Sequence, residues 1–77
     1  MYTKKNLGED LQTILKKPFN ILKIARWAEH IYAARNKEIS PELDDIIMML
    51  SFMEHGPEFE YTEKELKLLA EELISSP

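Results

Sequence analysis

The sequence contains no cysteine. Disulfides and thiolate metal sites are therefore excluded, and with them two common ways of holding a short chain together. Its two glycines, Gly8 and Gly56, are too few for a phosphate-cradling loop or a dinucleotide fingerprint. No apolar run approaches the ~20 residues that span a bilayer. The opening stretch MYTKKNLGEDLQTILKK lacks the continuous apolar segment of a signal peptide. A cytoplasmic protein with no membrane partner is expected.

Candidate catalytic groups are equally sparse. Ser40, Ser51, Ser75 and Ser76 stand in no triad-like context. The histidines are His30 and His55. A zinc-type site needs three or four converging ligands. His55 with Glu54, Glu58 and Glu60 has ligand types without a recognised spacing such as H-E-x-x-H. No catalytic residue, metal or cofactor is expected, and the chain reads as a non-enzyme.

What is present is a globular composition, 44% hydrophobic over 77 residues. This is the size of one small helical domain, residues 1–77, with a marginal core. Four helices can be read, and no strand. The first is expected near 7–17, capped by Asn6 with Glu9 three residues later, its inner face built from Leu7, Leu11, Ile14 and Leu15. Pro18 ends it and opens the second, near 18–36. Ile21, Ile24, Ala25, Ala28, Ile31 and Tyr32 form the inner stripe of that helix, with Lys23, Arg26 and His30 on the opposite side. The third helix, near 41–54, has Ser40 as N-cap and Pro41 at its first position. Its stripe is Leu43, Ile46, Ile47 and Leu50, widened by Met49 and Met53. Gly56 is expected as its left-handed terminator, followed by the blocking Pro57.

Thr62 and Glu65 make a capping box for the fourth helix, near 63–74, with Tyr61 and Leu66 at the positions of a hydrophobic staple. Leu66, Leu69, Ala70 and Leu73 supply its buried face, and Ser75-Ser76-Pro77 ends it. Between the last two helices, Glu58-Phe59-Glu60-Tyr61 suits an extended link with aromatics inward and acids outward. The expected architecture is an all-α, compact four-helix bundle whose short loops favour sequential antiparallel neighbours.

Charge is unevenly distributed. Residues 1–37 carry eight Lys/Arg against three Asp/Glu, a net +5, while residues 38–77 carry two against eleven, a net −9. The basic half raises nucleic-acid binding, but no helix-turn-helix signal accompanies it, and the acidic half would repel a phosphate backbone. Mutual pairing of the two halves is one use of the asymmetry. A basic protein partner is the other.

Apolar residues also occur on the wrong faces. At 100° per residue, Met48 and Phe52 point away from the inner stripe of the third helix, among Asp44 and Asp45, and Leu68 points away from that of the fourth. An apolar anchor rimmed by acids is the pattern of a binding surface. The expected partner-binding set is Asp44, Asp45, Met48, Phe52, Glu54, Glu58, Glu60 and Glu63. The expected function is non-catalytic binding of a basic protein through the acidic C-terminal half, in the manner of an immunity- or antitoxin-type inhibitor. The alternative is a structural homodimer or accessory subunit that completes its core through Met48, Phe52 and Leu68.

Overall fold

The structure, a computed structural model, describes residues 1–75. Ser76 and Pro77 of the expected helix-ending tail lie outside them. Among the described residues all regular structure is helical: α1 (Lys4–Leu15), α2 (Ile21–Arg35), α3 (Pro41–Ser51) and α4 (Glu63–Ser75), with 3₁₀ turns at Phe52–His55 and Pro57–Phe59. The four expected helices are present. Their pairing is not simply sequential: α1 packs on α4, and α2 on α3. The chain forms two compact units, one of Met1 with Asn20–Glu60, the other of Tyr2–Phe19 with the segment from Tyr61 onward.

In the α1/α4 unit, Leu7, Leu11 and Leu15 are buried on α1, and Leu66, Ala70 and Leu73 on α4; Ile14 is only half-buried. The helix begins earlier than expected. Thr3 is the N-cap, its Oγ1 accepting from the Asn6 N–H, while Asn6 Oδ1 accepts from the Thr3 N–H, each at 3.1 Å. Asn6 is thus the third residue of the helix and not its cap. An opening at Leu7 would place two buried residues, Leu7 and Gly8, where backbone donors lack intrahelical acceptors. Starting at Lys4 lets the Leu7 N–H reach the Thr3 carbonyl at 3.0 Å. Tyr2, also buried, donates its hydroxyl to the Asp10 carboxylate. Lys16 is the C-cap and Lys17 follows, so this lysine pair lies just past the last turn.

Gly8 determines how closely α1 can approach α4. A Cβ placed there would lie 2.8 Å from the Ala70 carbonyl oxygen and 2.9 Å from both Leu73 Cβ and Ile74 Cγ1. No side chain fits that space without moving backbone. At the start of α4, the capping box is formed as read: the Thr62 N–H donates to Glu65 Oε1 at 2.9 Å and the Glu65 N–H to Thr62 Oγ1 at 3.1 Å.

In the other unit, Ile24, Ala25, Ala28 and Ile31 of α2 are buried, as are Leu43, Ile47 and Leu50 of α3 and Met53 beyond it. Ile21 and Ile46 are half-buried. Tyr32 and Met49, expected inside, are exposed. Asn20, in extended geometry, caps α2 by accepting from the Lys23 N–H at 3.2 Å, so Pro18 lies outside the helix and not in its first turn. An asparagine amide that satisfies a free helix-start donor favours a cap over a helix interior. Ser40 caps α3, accepting from the Leu43 N–H at 3.2 Å, with Pro41 at the first position.

The α-helical part of α3 ends at Ser51, earlier than expected. The buried Ser51 hydroxyl donates to the Met48 carbonyl at 2.8 Å. Such back-bonding competes with the regular helical pattern, and the following residues tighten into a 3₁₀ turn. Gly56 has positive φ but is not left-handed helical: φ 157° and ψ 161° place it in extended geometry of the opposite hand, a region essentially reserved for glycine. Pro57 accounts for the difference, because a residue before proline is driven away from helical ψ towards extended values. Residues 57–59 then wind into a second 3₁₀ turn instead of the expected extended link. The Phe59 N–H donates to the Gly56 carbonyl at 3.0 Å and the Glu60 N–H to the Pro57 carbonyl at 3.2 Å.

Two substitutions test these constraints. Gly8→Ala gains helix propensity of about 1 kcal/mol but meets backbone, where overpacking costs about 1–3 kcal/mol. The expected net result in urea denaturation is a destabilisation of up to about 2 kcal/mol. Thr62→Ala removes the α4 cap and is expected to cost about 0.5–2 kcal/mol in the same measurement.

Candidate functional site

From Ser40 to Glu60 the chain has six carboxylates, Glu42, Asp44, Asp45, Glu54, Glu58 and Glu60, and no lysine or arginine. This segment forms α3 and both 3₁₀ turns. Asp45, Met48 and Phe52 recur at spacings of three and four, which is one helical face. Met48 is 39% exposed and Phe52 43% exposed. The second turn folds against the first, bringing Phe59, itself 43% exposed, to 6.2 Å from Phe52 between ring centroids. His55 also meets Phe52 edge-on, at 5.6 Å between ring centroids. The result is a small exposed apolar and aromatic patch.

The acids around this patch differ in their surroundings. Asp45, Glu54, Glu58 and Glu60 are exposed, and none has an ion-pair partner among the described residues. Glu58 bends back over the chain: a Cβ at residue 56 would lie 3.0 Å from its Oε2. Asp44 is half-buried, and its Oδ1 is enclosed without a hydrogen-bond partner among the described residues. Its position in the first turn of α3 offsets part of that cost, since the helix start favours negative charge. Glu63 lies elsewhere: it belongs to α4 in the other unit, where Lys67 Nζ approaches its carboxylate at 3.6 Å. Leu68, 51% exposed, also belongs to that helix.

Four further residues, outside the expected set, join the patch. Glu29 and Tyr32 of α2 line, with His55, Met48 and Phe52, a shallow groove of about 230 Å³ floored by Ile47 and Ser51. His55 and Phe59 are the other two. Only the pairing of α2 with α3 brings Glu29 and Tyr32 there; in the sequence they read as ordinary helix positions. A larger groove, about 780 Å³, lies in the α1/α4 unit between Lys16, Lys17, Phe19, Glu63, Lys67 and Glu71. Its charges are of both signs, and one pair already interacts.

The fold redistributes the charge asymmetry of the sequence. The α1/α4 unit combines Lys4, Lys5, Lys16, Lys17, Lys64 and Lys67 with Glu9, Asp10, Glu63, Glu65, Glu71 and Glu72, and is neutral overall. The other unit sets Lys23, Arg26, Arg35 and Lys37 against eight acids and carries the whole net charge of −4. Arg35 lies 3.5 Å from Glu38, whose carboxylate the N-terminal ammonium approaches at 3.8 Å. Among the described residues no helix is long and apolar enough to cross a membrane, and no three acidic or histidine side chains are grouped to hold a metal ion. No family model, curated protein or solved structure matches the chain, so its function must be read from its own residues.

Truncating Phe52 tests whether the patch is separate from the core. Burial of a phenylalanine in the core would make Phe→Ala cost about 3–5 kcal/mol. Phe52 is half in solvent, with two aromatic neighbours, and such pairs contribute about 0.5–1.5 kcal/mol each. Phe52→Ala is expected to lose about 1–3 kcal/mol in chemical denaturation, below the core range, with helical circular dichroism retained.

Proposed function

We propose that the chain is a non-catalytic protein-binding domain that receives a basic partner on the face made by α3 and the two 3₁₀ turns. The observation that carries this reading is the exposed Met48–Phe52–Phe59 patch, set in a segment with six carboxylates and no cation. Apolar anchors supply the desolvated centre of an interface, and a rim of one charge sign favours partners of the other. An immunity- or antitoxin-type inhibitor is the specific version: a small acidic helical domain covers the basic working surface of a larger protein. A homodimer or accessory subunit using Met48, Phe52 and Leu68 is the second reading, favoured by the exposure of all three. Sedimentation over a range of concentrations separates self-association from binding to another protein.

Rim charges act mainly on encounter rate, and salt screens them. The double variant Glu58→Gln/Glu60→Gln is therefore expected to slow association with a partner captured by affinity on the tagged protein, and to flatten its salt dependence. Folding stability should change little, because both side chains are exposed and have no ion-pair partner among the described residues. Phe52→Ala should instead speed dissociation. Stopped-flow or surface binding kinetics at several salt concentrations measure both effects. A partner whose on-rate ignores these acids and the ionic strength would rule out the acidic face as its docking site.

A further inference from the structure

We infer that the groove between α2 and α3 is a pocket for a single arginine side chain of the protein partner. The inference rests on the reading of this face as a protein-binding surface, and it adds what the surface recognises. At about 230 Å³ the groove is smaller than the roughly 300–1,000 Å³ of sites for whole small molecules. It suits one long side chain. Met48, above the buried Ile47, offers an apolar flank for a methylene stem. Tyr32, Phe52 and His55 supply aromatic walls, on which a planar guanidinium stacks more readily than a strongly hydrated ammonium. Glu29 supplies the carboxylate; it is exposed, has no ion-pair partner among the described residues, and is an acceptor for the guanidinium fork. Charge complementarity continues outside the groove, since the facing segment from Ser40 to Glu60 contains no competing lysine or arginine.

The test uses the whole chain and three capped tripeptides, acetyl-Ala-X-Ala-amide, with X as arginine, citrulline or lysine. Citrulline keeps the shape of arginine and most of its hydrogen bonding without the charge. Resonances of the Met48 methyl and of the Phe52 and His55 rings are followed by NMR up to millimolar peptide. The arginine peptide is expected to shift all three, and the citrulline and lysine peptides clearly less. Glu29→Gln should weaken the arginine response by up to about fivefold, and Tyr32→Leu should weaken it as well. Both positions are exposed, so both variants should keep the fold.

Equal responses to arginine and citrulline, or to arginine and lysine, overturn the arginine pocket. So does a response unaffected by Glu29→Gln. If basic peptides shift Phe59 and its neighbours but leave Met48 and His55 unmoved, the pocket inference fails while the acidic docking face stands. If no basic peptide moves any residue from 40 to 60, and association with the captured partner is also independent of salt, both fail.

Discussion

The α1/α4 unit depends on one absence of atoms. Gly8 faces the Ala70 carbonyl across a gap too narrow for a methyl group. Two helices can approach so closely only where one of them has no side chain. That approach lets the leucines at 7, 11 and 15 meet Leu66 and Leu73 without a layer of larger residues between. A chain without disulfides draws its stability from packing of this kind. The caps at the starts of the two helices, Thr3 with Asn6 and Thr62 with Glu65, satisfy backbone donors that helix starts leave open.

The same pairing decides where charge accumulates. Along the sequence the basic residues come first and the acidic ones last. Because the last helix packs on the first, the two ends neutralise one another within one unit. The surplus is left to the middle of the chain, where α3 and its turns carry acids and α2 carries most of the opposing cations. Part of the asymmetry is thus balanced within one unit, and the remainder lies on the unit that holds the exposed rings of Phe52 and Phe59.

Much of the fold was legible because it is local. Ser40-Pro41 and Thr62-Glu65 are helix starts with a mechanism, and both hydrogen-bond as their spacing requires. The outward positions of Met48, Phe52 and Leu68 followed from counting 100° per residue, and all three are exposed. The failures occurred where two local solutions compete. Asn6 can cap a helix or serve as its third residue, and the buried Leu7–Gly8 pair decides for the latter. Pro18 can open a helix, but Asn20 does so two residues later. Gly56 can be left-handed, but the following proline forbids the helical ψ. The contribution of Glu29 and Tyr32 to the groove was beyond local reasoning, since it depends on which helix lies beside α3. The pairing of α1 with α4 was missed for the same reason.

The uncompensated carboxylates around Met48, Phe52 and Phe59 have a consequence for the molecule in a crowded solution. A bare apolar patch is a general adhesive, which joins copies of a protein to one another as readily as to a proper target. Here two copies meeting face to face must press acid against acid before their rings can touch. The repulsion acts at a distance, while the hydrophobic attraction acts only at contact, so misdirected encounters end early. Under the proposed reading, the patch would adhere to a surface that first cancels its charge. Selectivity of this kind is set by the contacts the face refuses, and it requires no change of shape.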